Sequence, residues 1–226
     1  MSGGGPYTFR CNLPARRARK GDGALADLST FGTERSVNVR IEDIARVFVR
    51  HLEGRVADLV DITAFTYAAD SSVARTGWDE EGATEKWVRE LHLEIGVRDP
   101  EFWRRPEVSD LLRKTLTFLS GDMYRLTFEK LRADKARQDY LDFGPQPRDD
   151  WPFLGVDRVV MFSGGLDSLA GAVERAKAGA KLLLVSHRSV ARIDSRQQRL
   201  LDRMREVFPG TPMLRVPVWV NRAGAR

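Results

Sequence analysis

Six consecutive residues, Ser163-Gly164-Gly165-Leu166-Asp167-Ser168, have the types and spacing that anion chemistry needs. They follow the apolar run Val159-Val160-Met161-Phe162 and lead into a helical pattern. Paired glycines permit backbone conformations and close approaches that a Cβ blocks. Consecutive N–H groups in such a turn can line a concave nest, reinforced by the positive end of the following helix. The hydroxyls of Ser163 and Ser168 add donors suited to phosphate oxygens. Asp167 would repel a phosphate, and two roles reconcile it: a cap for the helix, or a magnesium ligand. A ligand-free turn between strand and helix is the plainer account. The run lacks the Lys-Ser/Thr of a Walker A loop and is not G-x-G-x-x-G.

The flanking elements set where this turn lies. "RVVMF", ending at Phe162, is apolar without alternation, the pattern of a strand buried on both faces. A helix from about Asp167 to Ala178 carries Leu169, Ala172, Val173 and Ala176 on one face, with Gly179 placed to end it. "KLLLVS" reads as a second buried strand. "SRQQRLLDRMREVF" reads as a second helix with Leu200, Leu201, Met204 and Val207 inward. Pro209-Gly210 turns the chain into a third strand, "MLRVPVWV". A β-α-β-α-β order argues for parallel strands with right-handed crossovers and ligands beyond their carboxyl ends. Ser163 to Ser168 falls at that edge.

The clearest boundary is "DFGPQPRDDWPFLG", Asp142 to Gly155, where three prolines and a charged cluster break all periodicity. Residues 1–142 form one domain on this reading, 143–156 a linker and 157–226 a second domain. In the first, Val37, Val39 and Ile41 alternate as a strand, and Ile44, Val47, Phe48 and Leu52 follow at helical spacing. Val56 to Ala69 reads as a helix, and "KWVRELHLEIGV" as a long alternating strand. "VSDLLRKTLTFLSGD" reads as an amphipathic helix through Leu111, Leu112, Leu116 and Leu119, stopped by Gly121. Tyr124, Leu126 and Phe128 alternate in a last strand. This order suggests an α+β domain, an antiparallel sheet covered by helices. Asp70, Arg75, Arg89 and Asp122 are candidates for a charged site there, with turn residues past helix ends as the plainer account of both aspartates.

Composition narrows the function classes. The chain has 226 residues, 42% hydrophobic and 31% charged, as soluble globular proteins do. It has no apolar run of about 18 residues for a membrane span and no secretory h-region, so it reads as cytoplasmic. Cys11 is the only cysteine, and His51, His92 and His187 are scattered. Internal disulfides and a cysteine-built zinc site are excluded, and no metal-ligand spacing is present. Basic residues outnumber acidic ones 37 to 32, with one cluster at Arg16-Arg17-Ala18-Arg19-Lys20. No aromatic stacking pattern accompanies it, so a solvated loop is favoured over nucleic-acid contact.

S-G-G-x-D-S resembles the fingerprint of the PP-loop ATP pyrophosphatases. The segment from Val159 onward is similar to their 7-cyano-7-deazaguanine synthase (QueC) branch. That resemblance implies a HUP-type α/β domain that splits ATP between its α and β phosphates. Ser163, Gly164, Gly165, Asp167 and Ser168 match the pyrophosphate loop, and Asp167 and Ser168 would act in catalysis with Mg2+. Phe162, Val185 and Ser186 match the strand ends whose backbone holds adenine, with His187, Arg188 and Gln197 near that rim. AMP would pass to the carboxylate of a 7-carboxy-7-deazaguanine-like substrate, and an amine would then displace it. The zinc site of the housekeeping synthases has no counterpart here, and those enzymes lack a long leading domain.

A wider resemblance covers nearly the whole chain: the QueC-like proteins of bacterial antiphage defence operons, the QatC type and relatives in CBASS loci. "YAAD" with Arg75, "WVRELHLEIGVRDPEFW" and "LTFLSGDMYRLTF" look like their leading domain. In such proteins the amine is expected to be ammonia or a protein N-terminus, so a protein substrate or operon partner is implied. From Asp157 to Arg226 there is room for three strands, fewer than a doubly wound nucleotide domain usually holds. The expectation is a PP-loop domain incomplete at its C-terminus, covered by a partner chain or a second copy. Two other functions stay open: a non-catalytic nucleotide-binding subunit, and another PP-loop activity such as tRNA modification.

Overall fold

The structure is a computed structural model that describes residues 6–17, 24–31, 35–39, 54–74, 88–131, 153–188 and 190–222. In chain order its elements are β1 (Tyr7–Cys11), β2 (Ala24–Leu28), β3 (Val37–Val39), α1 (Gly54–Ser72), β4 (Glu90–Val97), α2 (Pro100–Trp103), α3 (Pro106–Ser120), β5 (Met123–Lys130), β6 (Arg158–Met161), α4 (Leu166–Lys177), β7 (Leu182–His187), α5 (Ala191–Val207), β8 (Met213–Val218) and β9 (Val220–Arg222). They fall into two compact units, one around β1, β4 and β5, the other around β6, β7 and β8. Both sheets are parallel, and the fold is mixed α/β. Among the described residues no helix is long and apolar enough to cross a membrane.

In the first unit β4 is central, with Tyr7 opposite Leu91 on one side and Tyr124 opposite Leu91 on the other. Alternation along β4 and β5 buries Leu91, Leu93, Ile95, Tyr124 and Phe128. The sheet is parallel where an antiparallel one was expected. The cause is the connection: β4 reaches β5 through α2 and α3, and a strand–helix–strand crossover brings the second strand in parallel. A Cβ on Gly96 of β4 would lie 2.8 Å from the carbonyl oxygen of Asn12, the residue after β1. The helix expected from Val56 forms as α1, and α3 stops at Gly121 as expected. Its apolar stripe is less buried than its spacing implies: Leu116 is buried, whereas Leu111 and Leu119 are exposed. Ile41, the helical pattern of 42–52, Arg75 and Trp87 lie outside the described residues.

In the second unit the order β6-β7-β8 pairs Val159 with Leu183 and Leu184 with Arg215. Both crossovers step the same way across the sheet, so α4 and α5 cover the same face. Ala172 and Ala176 of α4 and Leu201 and Met204 of α5 pack there on Phe162, Leu182, Leu184 and Met213. Phe153 packs with Leu183 and Val216 in a smaller cluster. β6 departs from the sequence reading: as an edge strand it leaves Val159 63% and Met161 71% exposed, so it is not buried on both faces. Val207, expected to point inward, is also exposed, because α5 ends there. Pro217 fits β8 because that strand also lies at an edge, where a missing N–H costs no ladder bond.

Candidate anion site at the carboxyl edge of the second sheet

The turn from Ser163 to Gly165 closes β6 and opens α4. Gly164 is buried and adopts φ +81°, a conformation that glycine takes without strain. A Cβ on it would meet Cγ of Gln197 at 3.1 Å. The Gly165 amide donates to Oγ of Ser163 at 3.2 Å, Ser163 Oγ–H to Oγ of Ser168 at 3.1 Å, and Ser168 Oγ–H to the Gly165 carbonyl at 3.0 Å. Gly165 is the N-cap residue of α4, so the amides of Leu166, Asp167 and Ser168 open the helix without intrahelical acceptors. Asp167 does not cap the helix as one sequence reading had it. It stands exposed in the first turn, where the start of the helix favours a negative charge.

Behind the turn lies a buried polar network that holds it in place. Gln197 of α5, 1% exposed, donates Nε2–H to the Ser163 carbonyl at 3.1 Å and to the His187 carbonyl at 3.4 Å. Its Oε1 accepts from Nη2 of Arg215 at 3.0 Å. Arg215 also donates Nε–H to Oγ of Ser186 at 2.8 Å and pairs with Asp194. One amide thus ties the end of β6 to the end of β7, and one guanidinium ties both to β8. The glycine at 164 and the glutamine at 197 form a fitted pair.

The expected site residues fall into two groups. Ser163, Gly164, Gly165, Asp167 and Ser168 come together in the turn. Phe162, Val185 and Ser186 lie beside it at the ends of β6 and β7, with the Phe162 amide donating to the Val185 carbonyl at 2.6 Å. The Phe162 side chain is buried in the core, and the Ser186 hydroxyl faces Arg215. His187 and Arg188 follow at the rim, where Arg188 Nε lies 3.2 Å from Oδ2 of Asp194. Arg215 and Asp194 escaped the sequence reading. Arg215 carried a signal: an arginine inside an apolar strand requires a buried acceptor set.

The charged cluster of the first unit also assembles in part. Arg89 donates to Oδ2 of Asp122 at 2.5 Å, to Asp70, and to the carbonyls of Asp70 and Val73 at 3.0 and 2.5 Å. The Asp122 hydrogen bond holds the Arg89 proton more tightly than usual, against the opposing effect of burial. Every donor arm is engaged, so the cluster is a structural knot between α1, β4 and the turn before β5. A second knot was not anticipated. The wholly buried carboxylate of Asp58 accepts from the Arg98 amide at 2.9 Å, from Nη1 of Arg98 at 2.9 Å and from Nε1 of Trp103 at 3.1 Å.

Magnesium, implied by the motif, is compatible with the turn. No group of three His, Cys, Asp or Glu side chains that could cage a metal occurs among the described residues. A magnesium ion shared between one carboxylate and the oxygens of a polyphosphate needs no such cage, and Asp167 is the carboxylate in place. No protein-family model, curated protein or solved structure matches the chain.

Proposed function

We propose that the second unit is a nucleotide-binding domain of the HUP/PP-loop class, with its Ser163–Ser168 turn receiving the β and γ phosphates of ATP. The observation that carries this reading is the turn itself. A buried glycine at positive φ precedes the N-cap of a helix at the carboxyl edge of a parallel sheet, beside two hydroxyls and the first-turn amides that lack intrahelical acceptors. Helix starts at such edges are where phosphates bind. The reaction we propose is AMP-forming activation of a carboxylate, of the 7-carboxy-7-deazaguanine type, in antiphage defence. A carboxylate oxygen attacks the α phosphorus, the bond to the bridging oxygen breaks, and pyrophosphate leaves with its charge. An amine nitrogen, from ammonia or a protein N-terminus, then bonds to the acyl carbon, loses a proton and expels AMP. Magnesium would neutralise charge on the departing pyrophosphate. Within the chain, Asp167 would hold the ion, and the amides and hydroxyls of the turn would stabilise the developing charge.

Calorimetry with magnesium–ATP and with pyrophosphate tests binding, and release of AMP and pyrophosphate in the presence of the deazaguanine acid tests chemistry. Uptake of both ligands is expected, with binding weakened about tenfold or more by Gly164→Ala or Asp167→Asn. Failure of the unaltered chain to take up either ligand overturns the reading. Tight uptake without ATP cleavage would leave a nucleotide-binding module and remove the enzyme.

A further inference from the structure

The proposed phosphate turn contains no cation of its own, and its one charged side chain, Asp167, has the wrong sign. A polyphosphate bound there would bring several negative charges, and a positive side chain close by would pair with phosphate oxygens that the amides and a magnesium ion leave open. α5 supplies candidates. Arg192, Arg196, Arg199 and Arg203 recur at spacings of four, three and four, which places them on one side of the helix. Arg203 is paired with Glu206 at 2.6 Å. The acid near the start of α5, Asp194, is occupied by Arg188 and Arg215. Among the described residues Arg192, Arg196 and Arg199 have no such partner.

Position separates one of the three. A Cβ placed on Gly164 would lie 4.0 Å from Cδ of Arg196, in the same crevice where it meets Gln197 and Leu200. The guanidinium starts one bond beyond that Cδ, on an exposed side chain. Its neighbour Gln197 fixes the helix turn from which it projects, through the bond to the Ser163 carbonyl. We infer that Arg196 is the anion-binding side chain of the turn, closing over a bound polyphosphate and pairing with its oxygens. This rests on the phosphate reading of the turn and adds to it a specific cation from the next helix. Arginine suits the task, because its planar fork can meet two phosphate oxygens at once.

The test is pyrophosphate titration calorimetry on the full chain and three variants, with thermal melting of each. Arg196→Ala should weaken pyrophosphate binding about tenfold or more without lowering the melting temperature. Arg196→Lys should recover part of that loss. Arg203→Ala, about 10 Å further along the helix, should leave binding unchanged. If the unaltered chain binds no pyrophosphate, the phosphate reading falls and takes this assignment with it. If the unaltered chain binds but Arg196→Ala stays within about twofold of it, the assignment alone is overturned. A loss of equal size in Arg203→Ala also overturns it, since the helix would then act only as a diffuse positive field.

Discussion

Each unit has a parallel sheet with a carboxyl edge, and cations gather at both edges. At the first, Arg55, Arg98 and Lys130 line a cleft of about 770 Å³ together with Asp99 and Glu101. Both arginines there pair with carboxylates, and the lysine meets a backbone carbonyl. Arg55 Nε lies 2.8 Å from Oδ2 of Asp99, and its guanidinium stacks 4.3 Å from the centre of the Phe102 ring. Arg98 is bound by Asp58 and Asp61, and Nζ of Lys130 donates to the Arg98 carbonyl at 2.6 Å. At the second edge the buried guanidinium, Arg215, is likewise consumed, but Cδ of Arg196 lies 4.0 Å from where a Cβ on Gly164 would sit, and among the described residues Arg196 pairs with no carboxylate. The more visibly basic cleft is therefore expected to be the weaker anion site. Charge already compensated by the fold holds the fold together; only charge left over is available to a ligand.

Removing a partner at the first edge gives the largest expected effect. Asp58→Ala would leave the Arg98 amide and the Trp103 indole N–H without their carboxylate acceptor, and the Arg98 guanidinium with Asp61 as its remaining acid. Breaking a buried ion pair from one side costs about 3–5 kcal/mol. Urea denaturation followed by circular dichroism should register that loss, while pyrophosphate uptake by folded Asp58→Ala stays that of the unaltered chain. Appearance of a new pyrophosphate site in this variant would sharpen the comparison further, because it would show that compensation alone silences the first cleft.

Each edge also depends on one glycine, for different reasons, and the pair should separate stability from binding. Gly96→Ala drives a methyl group to 2.8 Å from the Asn12 carbonyl oxygen and 3.2 Å from Leu13 and Leu131. Overpacking of this kind costs about 1–3 kcal/mol and should leave pyrophosphate binding intact. Gly164→Ala places a non-glycine residue at φ +81° and presses on Gln197, for a smaller strain of about 1–2 kcal/mol. Its main consequence should be lost binding. Equal loss of binding in both variants, measured on folded protein, would contradict the division between a structural edge and a ligand edge.

The sequence made the turn at Ser163 legible because its signal is local: glycines, hydroxyls and the change from strand to helix all fall within a few residues. The parallel second sheet was legible for the same reason, as regular β-α-β-α-β order. What lay beyond reach was set by distant partners. Nothing local in the sequence marks β1 as a strand, yet Arg10 is buried there with Glu94 of β4 at 3.0 Å. Without β1, the first sheet was read as antiparallel, although the strand–helix–strand order from Glu90 to Lys130 already implied a crossover. β6 looked buried because a continuous apolar run does not reveal which strand ends up at an edge. Gln197 was placed at the rim, but its role follows only from Gly164, many residues away in sequence.

The smallest expected effect concerns pH, and it probes the same principle in the first unit. Glu94 lies between Arg10 Nε at 3.0 Å and Arg16 Nη2 at 2.8 Å, with its side chain 13% exposed. Burial alone would raise its pKa, but the hydrogen bonds from Arg16 and then Arg10 outweigh it and hold the carboxyl below its usual value. A depressed folded-state pKa means that the unfolded chain binds the proton more readily. The stabilisation is then complete above the unfolded value, about 4.3, and is lost as pH falls through the folded one. Urea unfolding from neutral pH down to about pH 3 should show this acid limb. In Glu94→Gln the neutral-pH stability should drop and the limb should flatten, since no proton remains to be taken up there. Parallel acid limbs in the two proteins would mean that the arginine pair does not depend on the charge of Glu94, and the contrast between engaged and unengaged arginines would lose one of its supports.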